Sequence, residues 1–177
     1  MPVLQLIYAP HKIFNKTAEP VAEVNAEIRQ IIDDMFATLY FQKASGIGAN
    51  MVGILQRIIV VDLFENGISK PYGMVNPEII HKSQKLQSFA EASLCFPGIS
   101  ANIKRPKNIT VNYLDYDGKL QTLEAEGFLA TVIQHEIDYL DGITFLDHLS
   151  PLKRNLLLQK MQKYMKKNLA NNSCSCC

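Results

Sequence analysis

The chain has 177 residues, of which 47% are hydrophobic and 20% are charged, a length and composition typical of one globular domain. The formal net charge of +1 gives no overall reason to expect DNA binding. No apolar run approaches the roughly 18 residues of a membrane span, and the N-terminus lacks a secretory signal. Three of the four cysteines lie in the last four residues, which excludes a disulfide framework and favours a reducing cytoplasm. We expect a monomer.

Charge is unevenly distributed along the chain. All 17 acidic residues lie before Ser150, whereas six of the 18 basic residues lie after it. A basic C-terminal segment on an acidic body is consistent with an anionic partner, and equally with a solvated helix face.

The first half of the chain predicts one helix and two strands. Apolar residues recur at three- and four-residue intervals over residues 24–42, which indicates a helix. The small-residue stretch SGIGANMVG, residues 45–53, is typical of a loop with a close backbone approach. RIIVVDL, residues 57–63, predicts a buried strand, and a turn is expected at Asn66-Gly67. Residues 72–80 predict a second extended piece, interrupted by its proline.

The second half predicts a hairpin and two helices. Residues 86–100 are expected to be extended or irregular. ITVNYLD, residues 109–115, alternates cleanly, and Asp117-Gly118 predicts a tight turn into residues 119–123. Residues 126–140 predict a buried helix, and residues 151–169 predict another. These elements share one core, so we predict a single α+β domain over residues 1–169, with 150–169 as its basic C-terminal helix and 170–177 as a disordered Cys-rich tail.

The stretch QHEIDYLDG, residues 134–142, resembles a metal site that lacks one ligand. His135 and Tyr139 are four residues apart, so both project from one face of the predicted helix. In H-E-x-x-H that spacing places two imidazoles on a metal, with the glutamate as general base. Taken alone, H-E-x-x-Y is more typical of a core histidine, a buried tyrosine and a surface glutamate than of a metal site.

Two further stretches resolve this ambiguity. SGIGANMVGILQRIIVVD, then EASLCFPG, then QHEIDYLDG occur in the order and spacing of the three motifs of peptide deformylases, roughly G-φ-G-φ-A-A-x-Q, E-G-C-φ-S and H-E-φ-D-H, where φ is apolar. The similarity extends over the whole chain, from MPVLQLIYAP to LDHLSPLK. The chain is identified as a member of that family, with mixed or antiparallel sheets packed around the central helix.

The chain departs from the family pattern at its most informative positions. Met51 stands where the family has glutamine, Ser93 where it has the metal-binding cysteine, and Tyr139 where it has the second metal-binding histidine. Ala44 replaces the first glycine, and Cys95 replaces the serine of the second motif. His135 is therefore the only retained metal ligand.

The resemblance implies roles for the matching positions. In the family, Fe²⁺ or Zn²⁺ activates water, a glutamate moves the proton, and a glutamine with a backbone N–H stabilises the oxyanion. Here Glu136 corresponds to the general base, Met51 to the oxyanion glutamine and Leu94 to the backbone N–H. The resemblance places the substrate groove at Gly46, Ile47, Gly48 and Glu91.

Each replacement removes one of these functions. Serine is a neutral alcohol, the unperturbed pKa of tyrosine is about 10, and methionine has no N–H to donate. Cys95 lies about 6.6 Å from Ser93 if the segment is extended, too far to substitute for it. We therefore expect no bound cofactor, with Fe²⁺ or Zn²⁺ only if the family site still works. Tyr139 and Met51 are expected to fill the metal position, with His135 hydrogen-bonded to Tyr139 or Glu136.

Three functions are compatible with these residues. The first is an inactive homologue that binds formyl-methionyl or other extended peptides, and the ribosome through residues 150–169. The second is an active or weakly active deformylase acting on formyl-methionine, or an enzyme that hydrolyses another amide with His135 and Glu136. The third is hydrolysis by a serine nucleophile, with Ser93 as the nucleophile and His135 as its base. No residue of the sequence is evident as the third member of such a catalytic triad.

Two other features carry weaker expectations. His148 is expected to be a surface or packed histidine rather than a ligand. The terminal CSCC could be prenylated or could remain unmodified.

Overall fold

Three helices and seven strands make up the regular structure of this computed structural model, which describes residues 2–64 and 68–173. The helices are α1 (Ala26–Gln42), α2 (Gly127–Leu140) and α3 (Pro151–Ser173). The strands are β1 (Gly46–Gly48), β2 (Ile58–Val61), β3 (Tyr72–Lys82), β4 (Leu86–Ser93), β5 (Phe96–Pro106), β6 (Asn108–Leu114) and β7 (Leu120–Glu126). None of the helices in these ranges is long and apolar enough to cross a membrane.

The strands form two antiparallel sheets. Five of them lie in the order β1-β2-β3-β6-β7, and β4 pairs with β5 as a separate hairpin. Helix α2 packs against the five-stranded sheet and the hairpin, so the two sheets meet at one helix. Ten of the fourteen residues of α2 are buried, which makes it the centre of the molecule. This arrangement confirms the predicted α+β class and the buried central helix.

Helix α1 has a well-defined beginning and end. The side chain of Asn25 accepts a hydrogen bond from the Ile28 N–H at 3.0 Å, which satisfies one free donor of the first turn. Lys43 adopts a left-handed conformation at the C-terminal end. The helix then leads directly into β1 at the edge of the large sheet.

The structure corrects one prediction about strands and makes another more specific. Part of the predicted loop at residues 45–53 is strand β1, followed by a 3₁₀ turn at Ala49–Val52. The three residues of β1 are too few to produce a recognisable alternation. Residues 86–100 belong to the regular β4–β5 hairpin, whose two-residue turn Leu94-Cys95 contains none of the usual turn residues.

Strand β3 continues through Pro77 rather than ending there. Its pairing with β6 shifts register between Val75 and Glu78, which is a bulge of the kind that accommodates proline. Asn76 has a positive φ of 51°, and its amide exchanges two 2.8 Å hydrogen bonds with the backbone of Val21. These bonds hold the bulge.

Helix α3 extends beyond the predicted end. It runs to Ser173 rather than Leu169. The predicted turn residues Asn66-Gly67 and the last four residues of the predicted tail lie outside the described residues.

Helix α3 docks on β5 through a glycine. Gly98 has φ +77°, and a Cβ added there would lie 2.5 Å from Cγ of Tyr164 on α3. We expect Gly98→Ala to lower the free energy of unfolding by about 1–3 kcal/mol, since it adds overpacking to backbone strain. Gly127→Ala is the matched control, because φ there is +60° and nothing lies within 4 Å of the added atom. Urea denaturation should show the larger loss for Gly98→Ala, and equal losses would contradict the docking role.

Candidate functional site

A cavity of about 500 Å³ lies between β1, the β4–β5 hairpin and α2. It brings together seven of the residues selected from the sequence: Gly46, Met51, Glu91, Ser93, Leu94, His135 and Glu136. Gly48 is buried beside it, whereas Ile47 points into the hydrophobic core. The hairpin is held to α2 by Gln87, whose Nε2 donates to Gly127 O at 2.6 Å and to Thr131 Oγ1 at 2.9 Å.

His135 is oriented by a buried carboxylate. Its Nδ1 lies 2.8 Å from Glu91 Oε2. The sequence-based expectation of a hydrogen bond from His135 to Tyr139 or Glu136 is therefore wrong. Arg105 donates two hydrogen bonds to the same carboxylate, at 2.6 and 3.0 Å, and a third to Asp138 at 2.7 Å. Sequence reasoning missed Arg105 because it lies in β5, outside the three motifs.

The ion pairs set the charge of these groups. Desolvation would raise the pKa of Glu91, but hydrogen bonds from His135 and Arg105 outweigh it and hold the pKa below the usual value. The pKa of Asp138 is likewise lowered, because His148 and Arg105 outweigh its desolvation. His148 Nε2 lies 2.7 Å from Asp138 Oδ2, a packed and partly exposed position that is consistent with the expectation for it.

Tyr139 is enclosed by aromatic rings. Its ring stacks on His135 at a centroid distance of 4.9 Å and meets Phe14 edge-on at 5.9 Å. Only 1% of the residue is exposed, and its Oη has no hydrogen-bond partner among the described residues. Burial raises the pKa of the phenol well above 10, although the nearby Ser93 hydroxyl acts in the opposite direction. The phenol is therefore neutral.

Ser93 ends β4 and Cys95 is the second residue of the tight turn that follows, so the two are not residues of one extended strand. Ser93 pairs with Phe96 across the hairpin, so the sequence-based 6.6 Å separation does not apply. The Cys95 N–H donates to Ser93 Oγ at 3.3 Å, and Cys95 Sγ lies 4.0 Å from the Met51 carbonyl oxygen. Burial raises the pKa of the Cys95 thiol. Cys95 is thus a protonated core residue.

The donor set at the three ligand positions does not fit Fe²⁺ or Zn²⁺. It comprises the neutral hydroxyl of Ser93, the neutral phenol of Tyr139 and the imidazole of His135, whereas these ions favour thiolate, imidazole and carboxylate. Over residues 2–64 and 68–173, no group of three or more His, Cys, Asp or Glu side chains is arranged to hold a metal.

Met51 also differs from a glutamine in what it does. Its side chain is buried, and its Sδ accepts the Gly48 N–H at 3.4 Å. It fills space at the base of the cavity and has no hydrogen to donate to an oxyanion.

Glu136 lies at the base of the cavity in an environment that disfavours its charge. Desolvation raises its pKa from 4.5 to about 7. Oε2 has no hydrogen-bond partner in the described part of the chain, and neither does Asn50 Oδ1. An added Cβ on Gly46 would lie 2.8 Å from Glu136 Oε1, so glycine is required there. Asn50, whose Nδ2 donates to Tyr139 O, carried no sequence signal for this position.

We expect Glu136→Gln to stabilise the fold at alkaline pH. The pKa of Glu136 is higher in the folded state than in the unfolded state. The buried carboxylate therefore lowers the free energy of unfolding as pH rises above about 4.5, and this loss reaches its full size above about pH 7. The variant should gain up to about 3 kcal/mol at pH 8 and little at pH 4.5. Urea denaturation at both pH values measures this, with exposed Glu78→Gln as the control. A gain independent of pH would contradict it.

Comparison with known proteins gives a consistent result. The sequence model of the polypeptide deformylase family matches residues 3–155. A "Peptide deformylase-like" protein of Rickettsia conorii is 57% identical over 165 residues, covering 93% of this chain and 90% of its own. The peptide deformylase of Mesorhizobium japonicum is 41% identical, covering 94% and 95%.

Solved structures agree. A crystal structure of peptide deformylase from Ehrlichia chaffeensis superimposes with a TM-score of 0.89 at 36% identity, covering 94% of this chain and 99% of that one. A second structure of that protein, in complex with actinonin, gives 0.88 at 38% identity and covers 93% and 98%. These matches confirm the fold predicted from the motifs.

Proposed function

Since this chain belongs to the polypeptide deformylase family, we propose that it is a peptide-binding member that has lost metal-dependent deformylation. The observation that carries the proposal is the position of Tyr139. Its ring packs among Phe14, Phe96 and His135 in the hydrophobic core. A neutral phenol there occupies the place of an imidazole ligand and gives a metal no anionic donor.

Two other replacements support the loss of hydrolysis. Ser93 cannot supply the thiolate that the family pattern places there. Met51 engages the Gly48 N–H instead of donating to an oxyanion, and loss of one such donor typically costs about 10²–10³ in rate. His135, whose Nδ1 is bonded to Glu91, would be the only remaining ligand of the three.

The cavity walls support peptide binding. β1 is the edge strand of the large sheet, and β4 pairs with β5 on one side. Residues of both strands line the cavity, so an extended peptide could pair with either backbone by strand addition. In this proposal Gly46, Gly48 and Glu91 form the peptide-binding groove, and Ile47 contributes only its backbone. The Ehrlichia chaffeensis protein was solved with actinonin, and we extend ligand binding at this cleft to the present chain.

The basic charge of helix α3 supports the binding of a second partner, which would be anionic. The helix carries all six basic residues that follow Ser150, and Leu152 and Leu156 are exposed four residues apart. We infer that α3 contacts ribosomal RNA through this basic surface. Ribosome co-sedimentation that falls with salt, and that is lost when Lys160, Lys163 and Lys167 become glutamate, would support this. Salt-independent association would oppose it.

One observation favours the alternative, an active or weakly active deformylase. Glu136 lies in the cavity with a pKa of about 7, which suits a general base near neutral pH. A metal or water bound only through His135 and Glu136 could then act on a formyl-methionyl peptide.

A cobalt titration separates the two functions. Protein in which the three C-terminal cysteines are changed to serine, titrated with Co²⁺ under anaerobic conditions, should show no thiolate charge-transfer band and no saturable binding by equilibrium dialysis. An unformylated and a formylated Met-Ala-Ser peptide should nevertheless bind, and should protect β1 and β4 amides from hydrogen exchange. One tightly bound metal per chain would contradict the loss of the centre, and absence of protection would contradict the groove.

A further inference from the structure

Ser93 lies on the wall of the cavity. It ends β4, is half-buried, and is followed by the two-residue turn Leu94-Cys95. Its Oγ accepts the Cys95 N–H at 3.3 Å, so the turn holds the hydroxyl at the cavity wall. Ser93 and Leu94 both line the cavity. A hydroxyl in this position is available to a molecule that enters.

His135 lines the same cavity as Ser93. Its Nδ1 is bonded to Glu91 Oε2 at 2.8 Å, which leaves Nε2 as the ring nitrogen that makes no hydrogen bond within the described part of the chain. The Tyr139 ring stacks on the imidazole at a centroid distance of 4.9 Å.

Glu91 is a fixed orienting group. Its carboxylate is buried and held by Arg105 through Nε and Nη2. A carboxylate locked in this way fixes both the orientation and the tautomer of the imidazole, since it accepts the Nδ1 proton. The third member that the sequence did not identify is therefore supplied by the second motif.

We propose that Ser93, His135 and Glu91 form a metal-independent acyl-transfer site whose substrate is a short-chain carboxylic ester. The inference goes beyond the proposed peptide binding and rests on its claim that no metal occupies His135. Ser93 is the nucleophile, His135 the general base and Glu91 the positioning residue.

The reaction balances with water as the second reactant. Ser93 Oγ bonds to the ester carbonyl carbon as its proton passes to His135 Nε2. The bond from that carbon to the alkoxy oxygen then breaks, and the proton from Nε2 leaves on the alcohol. Water attacks the acyl-serine, gives a proton to Nε2, and the carboxylic acid departs as Ser93 regains its proton.

The turn after Ser93 supplies the electrostatic element. The backbone N–H of the residue that follows a nucleophilic serine is a common oxyanion donor. Leu94 holds that position, at the start of the turn and on the cavity wall. The other walls include Ala44, Ala90, Ala92, Pro97, Phe128 and Val132, which favour a short apolar acyl group.

Two probes test the site in the intact protein. A fluorophosphonate should phosphonylate Ser93, located by peptide mass spectrometry. p-Nitrophenyl acetate should release a burst of one nitrophenolate per chain and leave acetyl-Ser93. Ser93→Ala should abolish both, and His135→Asn should slow labelling by about a hundred-fold. Ser88→Ala, an exposed serine on the same strand, should change neither.

The outcomes distinguish this inference from the proposed loss of the metal. Labelling of Ser93 that resists EDTA supports the acyl-transfer site. No adduct at Ser93 in the folded wild-type chain would overturn it without reference to any variant, and so would an undiminished rate in folded His135→Asn. Formyl-peptide turnover that EDTA abolishes and Ser93→Ala retains would instead contradict the loss of the metal centre.

Discussion

Replacement of Arg105 by methionine will lower the free energy of unfolding by about 3–5 kcal/mol at pH 7, the range expected when one partner of a buried ion pair is removed. Arg105 is 4% exposed and bonds to Glu91 and Asp138. Methionine retains much of the volume but leaves Glu91 buried without its cation. The loss should be measured by urea denaturation, with m-values compared to confirm two-state unfolding.

Arg57→Met is the matched control for this prediction. Arg57 also pairs with an aspartate, Asp141, at 2.6 Å, but the aspartate side chain is 41% exposed. Such a surface pair is worth about 0–1 kcal/mol. If the two variants lose equal stability, the buried network does not hold the site together.

The loss of unfolding free energy caused by Arg105→Met should become smaller as pH falls. In the wild type the pKa values of Glu91 and Asp138 are lowered from 4.5 and 3.8, so their contribution is present above these values and is lost as pH falls below them. In the variant, Glu91 loses the hydrogen bonds and the charge of Arg105, which help to lower its pKa. The pKa of Glu91 should therefore be higher in the variant than in the wild type, and protonation of Glu91 should remove part of the cost as pH falls. A deficit that stays constant from pH 7 to pH 4 would contradict this.

Restoring the family residues should create a metal site. The triple variant Met51→Gln, Ser93→Cys, Tyr139→His, with the three C-terminal cysteines changed to serine, should bind one Co²⁺ per chain with a thiolate charge-transfer band. It should also cleave a formyl-Met peptide at least about 10³-fold faster than the wild type, since it regains both ligands and the oxyanion donor. Tyr139→His also opens space in the core, at about 2–4 kcal/mol, so metal should raise the melting temperature of the variant and leave the wild type unchanged.

The two single variants provide the controls for the restored site. Ser93→Cys and Tyr139→His each restore one ligand, and each should bind Co²⁺ much more weakly than the triple variant. A triple variant that folds but binds no metal would mean that other residues, such as Asn50, whose Oδ1 is buried without a hydrogen-bond partner in the described part of the chain, also exclude it.

Local patterns predicted most of the fold. The helical repeat of residues 24–42 and the alternation of 109–115 gave α1 and β6 within two residues. β1 was missed because it has three residues and is defined by pairing with β2. Residues 86–100 were expected to be extended or irregular, and their pairing as the β4–β5 hairpin was not predicted, because the turn Leu94-Cys95 contains none of the usual turn residues.

The sequence predicted only those residues of the candidate site that belong to the three motifs. Ser93, His135 and Glu136 were placed together from three separated stretches, and they line one cavity. Arg105 and Asn50 were not selected, since a lone arginine in a strand and a lone asparagine in a small-residue turn have no distinctive pattern. The partner of His135 was predicted wrongly, because a choice between Glu91 and Tyr139 depends on side-chain direction in three dimensions.

The central claim is that this deformylase family member no longer supports metal-dependent hydrolysis, and turnover of a formyl-Met peptide tests it most directly. Anaerobically purified wild-type protein would be assayed with added iron, nickel, cobalt or zinc, beside Glu136→Ala and the triple restored variant. We predict no turnover above buffer for the wild type with any metal, and turnover for the restored variant. Wild-type turnover that is abolished by both Glu136→Ala and chelation would contradict the claim.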